Sequence, residues 1–498
     1  MEMEIEMKTN EKIETKTEVE DKIEDKENKV IQQNRNRNPI NKPIRKTELS
    51  PIPTIPEQTN QTPQTPIILF WMSDDWNWNT GYAKCCREIC NRLGAPNPKS
   101  PYKFEIHHIA KFNKGEQYIP LGNNFRVHHF TGQFGDTILP VILKTFQPHI
   151  LVSQDDPFTM TKYSLDKVDY NSTGTKFIPY VAIDGEPTGT HSEPTLKKAH
   201  TLIAMSEFGK EIMQREGYTQ NIEVIYHGVD TKKYMPITTK ELFRARYSEV
   251  FSNAWGKEIS FRNKFIMFGC GRNSLRKNFN QLIDAFALFA KGKDDVCLLL
   301  HATNFQAYDL DLMDYINRVL PFKYGDKVES DLLWNKIYFT PSQDLSRGLP
   351  EQTIIEIMQM SDCHVTTARG EGFGMVLLES MACGLPVISN GYSTPYELLI
   401  KEVEINGEKI GPRGLVAESE ELSCINMNVH HREAKTDSFV DQMNVLYNDW
   451  LGDNSLYRKL VRNSLIFAKH YDWETVVDRW RKLFIRLTNP QKIKKVEL

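Results

Sequence analysis

The chain has 498 residues, which at roughly 150 residues per domain is enough for two or three domains, so a single small module is excluded. Its 62 Lys and Arg residues nearly balance its 65 Asp and Glu residues, and the net charge of −3 argues against a basic surface for nucleic acid. The longest apolar run near the N-terminus, Pro66 to Met72, is shorter than the about 20 residues that span a bilayer. A soluble protein without a transmembrane segment is therefore predicted.

The N-terminal region is predicted to be a disordered, charged and Pro-rich tail over residues 1–66. It begins with alternating Glu and Lys, continues through a Gln/Asn/Arg stretch and ends in Pro, Thr and Gln, so it has few apolar groups to offset its ordering entropy. A tether and a plain solvated extension both fit this composition. The absence of a signal-peptide core and the free-thiol character of eight cysteines in so long a chain predict a cytoplasmic location.

From Ile67 onward, short apolar runs alternate with helical patterns, which is typical of parallel sheets covered on both faces. The first series of predicted strands comprises Ile67 to Met72, Phe104 to Ala110, Phe125 to Phe130, Ile150 to Ser153, Phe177 to Ile183, Thr201 to Met205 and Ile222 to Tyr226. The second comprises Phe265 to Gly269, Val296 to His301, Ile337 to Thr340, Cys363 to Thr367 and Val387 to Ser389. Two doubly wound α/β units in tandem follow from this order.

Three segments after the tail are predicted from these patterns. Residues 67–235 form an N-terminal Rossmann-like domain, residues 236–470 a C-terminal one, and residues 471–498 a final helical segment. The region 401–437 is interpreted as an irregular insertion with a hairpin turn at Asn406-Gly407, and no function is predicted for it.

The strongest chemical signal lies in the segment from Arg369 to Val387. A strand ends at Thr367, the turn Gly370-Glu371-Gly372-Phe373-Gly374 follows, and a helix starts near Gly374. Open backbone amides at such a helix start can bind a phosphate or another anion. Glu379, about one turn inside the helix, leans toward that start, and its two oxygens suit the paired hydroxyls of a diol.

A second loop, Gly269 to Asn278, would supply the balancing positive charge. Arg272 lies in this loop and Lys277 at the next helix start, so both can meet at the carboxyl edge of the sheet, where open α/β folds bind ligands. A forked guanidinium and an ammonium suit a diphosphate. A solvated loop is the alternative, and the pairing with Glu371 and Glu379 weakens it.

Together these segments resemble the retaining nucleotide-sugar transferases of glycosyltransferase family 4 (group 1), over about residues 67 to 487. The pattern of two Glu residues separated by seven others, at Glu371 and Glu379, is the most specific part of the resemblance. Further matching pieces, in the family's order, are Ser206-Glu207-Phe208, His227-Gly228-Val229-Asp230, the Arg272/Lys277 pair and Asp472-Trp473-Glu474.

The resemblance implies the GT-B fold, in which an acceptor domain (67–235) and a nucleotide-sugar domain (236–470) face a central cleft and the final helix crosses back to the first domain. It implies that Glu371 holds donor sugar hydroxyls, that Glu379 holds the ribose diol, and that helix-start amides with Arg272 and Lys277 hold the diphosphate. The implied nucleotide-sugar site is Gly81, Gly271, Arg272, Lys277, Glu371, Gly372, Phe373, Gly374, Met375, Val376 and Glu379.

The sequence departs from the family after the strand ending at Ile183, where the family often has a histidine and this chain has Asp184. This carboxylate can accept a proton from the acceptor or a bond from a sugar hydroxyl, or it can merely cap the turn. The predicted catalytic residues are Asp184, Arg272, Lys277 and Glu371. No metal or other cofactor is expected, because two side-chain cations already stabilise the leaving group, and the acidic pairs Asp74-Asp75 and Asp155-Asp156 are interpreted as loop acids.

These features predict a retaining hexosyltransferase that moves mannose or glucose from a UDP- or GDP-sugar to a glycan, lipid or protein acceptor. Peripheral membrane contact through a surface patch stays open. The main alternative is a non-catalytic sugar-nucleotide-binding or scaffold protein of the same fold. A dehydrogenase is disfavoured because Ser274 stands where the dinucleotide fingerprint needs its third glycine, and a phosphorylase would need a cofactor lysine site that the sequence does not show.

Overall fold

Two parallel β-sheets form the framework of the protein. The computed structural model describes residues 66–96, 102–111, 125–128, 139–302, 310–341, 349–426 and 428–488. Both sheets belong to one compact unit, residues 63–498. Residues 1–65, which hold nearly all of the predicted tail, lie outside the described residues.

The first sheet has seven strands in the order β3-β2-β1-β4-β5-β6-β7. All neighbouring strands run parallel. Consecutive residues of β1, from Leu69 to Met72, are fully buried, because helices cover both faces of the sheet. The strands are β1 Ile67–Asp74, β2 Phe104–Lys111, β3 Phe125–His128, β4 Ile150–Asp155, β5 Lys176–Val181, β6 Thr201–Ala204 and β7 Asn221–Val224.

The second sheet has six strands in the order β10-β9-β8-β11-β12-β15, again all parallel. Its strands are β8 Phe265–Cys270, β9 Val296–His301, β10 Ile337–Phe339, β11 Cys363–Thr366, β12 Val387–Asn390 and β15 Gly414–Ala417. The two predicted doubly wound units are therefore present. Each sheet has its topological switch point between its first and fourth strands, where open α/β sheets bind ligands.

Helices connect these strands. The α-helices are α1 Gly81–Gly94, α2 Leu139–Phe146, α3 Pro157–Met160, α4 Tyr170–Thr173, α5 Glu193–Leu196, α6 Glu207–Arg215, α7 Lys240–Trp255, α8 Phe279–Ala290, α9 Leu312–Asp314, α10 Leu320–Tyr324, α11 Leu332–Asn335, α12 Glu351–Met360, α13 Met375–Ala382, α14 Ser393–Leu399, α15 Thr436–Leu451, α16 Ser455–His470 and α17 Trp473–Thr488. A π-helical stretch, Tyr315–Val319, joins α9 to α10, and short 3₁₀ turns occupy Thr161–Tyr163, Leu165–Lys167 and Gly325–Lys327. Among the described residues, none of these helices is long and apolar enough to cross a membrane.

The interpretation of residues 401–437 as irregular is wrong in two places. The predicted Asn406-Gly407 turn does join a hairpin, β13 Val403–Ile405 and β14 Glu408–Ile410. However, β15 then completes the second sheet, and a further hairpin follows, β16 Ser419–Asn426 and β17 Val429–Ala434. The apolar pattern did not predict this second hairpin, because its strands are rich in polar residues and lack a continuous apolar run.

The last helix, α17, packs on the first sheet although it follows the second one in the chain. Trp480 is fully buried, with its ring 5.1 Å from that of Trp71 in β1 and 4.9 Å from that of Tyr180 in β5. At the start of α17, the backbone of Trp473 donates a hydrogen bond to the Val229 carbonyl at 3.2 Å. We call the first sheet with its covering helices the first lobe and the second sheet with its covering helices the second lobe. The first lobe is therefore completed by α17, which follows the second lobe in the chain.

Candidate active site

Loops from the switch points of both sheets enclose a cavity of about 470 Å³. Gly81 follows β1, Asp156 follows β4, and the segments beginning at Gly271 and Glu371 follow β8 and β11. Eleven predicted site residues line this cavity: Gly81, Asp184, Gly271, Arg272, Lys277, Glu371, Gly372, Phe373, Gly374, Met375 and Val376. Glu379 lines an adjoining cavity of about 560 Å³, which shares Gly81, Met375 and Val376 with the first.

Glu371 lies between two cations from the loop after β8. Lys277 Nζ contacts its Oε1, and Arg276 Nη1 donates to its Oε2 at 2.9 Å. Burial alone would raise the pKa of Glu371, but the charges and hydrogen bonds of Lys277 and Arg276 lower it to about 2. Glu371 is therefore ionised at neutral pH, and its carboxylate has further lone pairs for sugar hydroxyls.

Arg276 was not among the predicted site residues, although it directly precedes Lys277. Besides Glu371, its guanidinium contacts the Gly370 carbonyl and the carboxylate of Asp184. Arg272, the predicted phosphate ligand, is exposed and lines the same cavity. The sequence places both arginines in the same loop. The contacts of Arg276 with Asp184 and Glu371 distinguish it from Arg272.

Two glycines of the turn after β11 allow the two lobes to approach each other. A Cβ atom on Gly372 would lie 2.6 Å from the Cβ atom of Ala182, and one on Gly370 would lie 1.9 Å from the Asp184 carbonyl oxygen. Both distances are too short for any side chain. These glycines therefore serve contact between the lobes, in addition to leaving the amides at the start of α13 open to the cavity.

Glu379 on α13 is paired with a cation from the other lobe, Lys84 on α1. Lys84 Nζ lies 2.6 Å from Glu379 Oε1 and 2.7 Å from Glu351 Oε1, and it donates to the Tyr234 hydroxyl at 2.7 Å. Burial raises the pKa of Glu379, and the Lys84 charge only partly opposes this. Lys84 was not among the predicted site residues. Its position one helical turn after the predicted site residue Gly81 was the only indication in the sequence.

Each carboxylate oxygen of Asp184 lies close to a different side chain of the second lobe. Its Oδ2 lies 3.3 Å from Arg276 Nε, and its Oδ1 lies 3.3 Å from His431 Nε2. Burial would raise the pKa of Asp184, but the neighbouring His431 and the Arg276 charge bring it below its usual value. Of the two interpretations left open, these contacts favour a role in the cavity over a turn cap.

The interpretation as a loop acid is wrong for Asp155, which is the last residue of β4, whereas Asp156 does lie in the loop before α3. Asp155 is buried, contacts Lys111 Nζ and accepts from the Tyr163 hydroxyl at 2.6 Å. Asp156 lines the cavity and accepts from the Tyr82 hydroxyl at 2.8 Å. Burial and the nearby charges of Asp155 and Asp184 raise the pKa of Asp156 to about 7. The part of the chain that the structure describes contains no group of three or more His, Cys, Asp or Glu residues placed to hold a metal ion.

Comparisons with known proteins give a family match within the second lobe. Residues 256–421 match the family model described as "Glycosyl transferases group 1". Sucrose synthase 1 of Hordeum vulgare is 22% identical over 257 residues, covering 49% of this chain and 30% of that protein. Mannosylfructose-phosphate synthase of Agrobacterium fabrum is 25% identical over 171 residues, covering 34% of this chain and 32% of that protein. The chain thus spans about a third of the length of these relatives.

Solved structures share the fold over most of the chain. Anabaena HepE in complex with UDP and glucose superposes with a TM-score of 0.57 at 16% identity, covering 84% of this chain and 99% of HepE. Sucrose-phosphate synthase from Thermosynechococcus elongatus superposes with a TM-score of 0.58 at 13% identity, covering 85% of this chain and 100% of that one. The predicted GT-B fold is confirmed, and the predicted resemblance agrees with the match of residues 256–421 to the group 1 glycosyltransferase model.

Proposed function

We propose that the protein is a retaining glycosyltransferase that moves a hexose, mannose or glucose, from a UDP- or GDP-sugar to a glycan, lipid or protein acceptor. The observation that carries the proposal is the single cavity in which Lys277, Arg272, Glu371 and the start of α13 meet loops of the first lobe. A fold neighbour solved with UDP-glucose supports a uridine donor and glucose.

The second lobe binds the donor. Lys277, Arg272 and the backbone amides at the start of α13 stabilise the negative diphosphate, because they present positive charge and hydrogen-bond donors from a fixed framework. Glu371 accepts hydrogen bonds from sugar hydroxyls. Glu379 accepts hydrogen bonds from the two ribose hydroxyls. Its carboxylate has about four lone-pair sites, so these hydrogen bonds replace only part of its contact with Lys84.

In the chemical step, the bond between the anomeric carbon and the diphosphate oxygen breaks, and its electron pair leaves with the diphosphate. Lys277, Arg272 and the helix amides stabilise the charge that develops there. The negative charge of Asp184 stabilises the positive charge on the sugar. The acceptor oxygen bonds to the anomeric carbon from the face that the leaving group departs, and its proton goes to the Asp156 carboxylate. No step in this proposal requires a metal ion.

The proposal is tested with the full chain and a panel of nucleotide sugars. A thermal-shift screen identifies the donor, because a ligand that binds only the folded state raises the melting temperature. Release of nucleoside diphosphate is then measured with and without candidate acceptors. Lys277→Ala and Glu371→Ala should each lower turnover by about a hundredfold or more, whereas Lys482→Ala on the exposed face of α17 should not change it.

Two results would contradict the proposed function. If nucleotide sugars raise the melting temperature but no diphosphate is released with any acceptor, the protein is a sugar-nucleotide-binding scaffold. If turnover survives in Lys277→Ala and Glu371→Ala, the cavity is not the active site.

A further inference from the structure

The β16–β17 hairpin, residues 419–434, extends from the second lobe to the loop that carries Asp184 in the first. The His430 amide donates to the Glu186 carbonyl at 2.7 Å, and the Glu186 amide donates to the His430 carbonyl at 3.1 Å. Asn428 Nδ2 adds a bond to Thr190 Oγ1 at 2.8 Å. The edge strand β17 thus continues its pairing across the boundary between the lobes.

The same strand is attached to the glycine-rich segment that carries Glu371. The Arg432 amide donates to the Arg369 carbonyl at 3.2 Å, and Asn390 Nδ2 donates to the Arg432 carbonyl at 2.7 Å. Arg369 Nη2 lies 2.6 Å from Glu433 Oε1. Residues 430–433 therefore contact the loops that bring Asp184 and Glu371 to the cavity.

Strand alternation turns His431 inward between two outward-facing neighbours. His430 and Arg432 are exposed, whereas His431 is 4% exposed, and its Nε2 faces Asp184. The packing around it is tight: a Cβ atom on Gly370 would lie 2.8 Å from His431 Cδ2, and one on Gly185 would lie 2.4 Å from the His430 carbonyl oxygen. His431 lies behind Asp184 rather than in the lining of the 470 Å³ cavity.

We propose that His431 is a positioning residue, which acts together with Arg276 to hold the Asp184 carboxylate ionised and oriented toward the donor sugar. This inference rests on the proposed function. Each carboxylate oxygen of Asp184 has its own partner, so the group cannot rotate without losing one of them. A charge fixed before the reaction stabilises the transition state better than one that must reorient.

The ionised state of Asp184 depends on all the titratable and charged groups around it. These are Tyr82, Asp156, Arg276, Glu371, Tyr392 and His431. Asp156 and Glu371 disfavour the charge on Asp184, whereas Arg276 and His431 favour it. Removing His431 therefore raises the pKa of Asp184.

The test compares His431→Phe, which keeps an aromatic ring but removes the ring nitrogens, with His431→Gln, which places a polar group at the same position along the side chain. His430→Phe, the same change on the outward face of the hairpin, is the matched control. We expect His431→Phe to lower kcat by on the order of ten- to a hundredfold with little change in the donor KM. His431→Gln should recover most of the loss, and His430→Phe should behave as the wild type.

A double-mutant cycle with Asp184→Asn gives a readout that does not need turnover. If the two side chains act together, the losses in melting temperature caused by His431→Phe and Asp184→Asn are not additive. Equal kinetic loss in His431→Phe and His431→Gln, or additive effects in the cycle, would overturn the inference. A wild-type protein without any turnover would instead reject the proposed function, and the thermal cycle would still decide whether His431 and Asp184 are coupled.

Discussion

Asp156 couples the stability of the protein to pH. Its pKa is raised to about 7, mainly by burial and then by the charges of Asp155 and Asp184, whereas an unfolded Asp ionises near pH 4. The stabilising contribution of the protonated carboxyl is therefore fully present below about pH 4 and is lost as pH rises through 7. We expect Asp156→Asn to stabilise the protein at pH 8 by on the order of 1–2 kcal/mol, with little effect at pH 4. Melting curves at both pH values check this, and a larger gain at pH 4 would contradict it.

The same residue should shape the pH dependence of turnover. A protonated Asp156 cannot accept the proton of the acceptor, so kcat/KM of the wild type should fall as pH decreases through about 7. In Asp156→Asn this limb should disappear and the remaining rate should be low. A wild-type rate that stays constant between about pH 6 and 8 would show that Asp156 is not the base.

In the proposed reaction, protein groups and not a metal ion neutralise the negative charge of the diphosphate. Because Arg272 and Lys277 lie in the cavity with the amides of α13, excess EDTA should leave turnover unchanged. The matched comparison is Lys277→Gln, which should lose activity with or without added Mg²⁺. Loss of wild-type activity in EDTA, restored by a divalent cation, would contradict the prediction.

At the scale of elements, the pair of Lys84 and Glu379 connects α1 of the first lobe to α13 of the second. Its side chains are only 20% and 12% exposed, so removing one partner leaves a largely buried charge. We expect Lys84→Met to destabilise the protein by about 2–4 kcal/mol and Lys84→Met/Glu379→Gln to recover part of this loss. Denaturant unfolding of the two single variants and the double variant measures the coupling, and additive losses would exclude it.

The elements themselves differ in how far their sequence predicts them. Strands such as β1, β4 and β9 were predicted because continuous apolar runs signal burial on both faces. Strand β15 has only four residues, and the strands of the β16–β17 hairpin contain Glu, His, Arg and Ser. Strand β15 pairs with β12, and the hairpin contacts Arg369, Asn390 and Glu186, which are distant in the chain, so no local pattern could reveal these contacts.

At the scale of the whole molecule, α17 packs on the first lobe although it follows the second lobe in the chain. Trp480 fills a buried site between Trp71 and Tyr180, and its loss would leave a large cavity. We expect Trp480→Ala to cost about 3–5 kcal/mol and to lower the melting temperature by several degrees. Trp480→Phe should cost less, because its ring fills most of the site. Lys482→Ala, whose side chain is 77% exposed, serves as the control, and an equal loss in it would contradict this account of α17.

Apolar runs, glycine turns and helix starts are local signals, and from them the two parallel sheets, the loops after β8 and β11 and most residues of the cavity could be predicted. Only the tertiary structure decided that Arg276 holds Asp184 and Glu371, that Lys84 reaches Glu379, and that His431 lies behind Asp184. Each of these contacts joins segments far apart in the chain. Their distances depend on how the two lobes pack, and no short stretch of sequence encodes that packing.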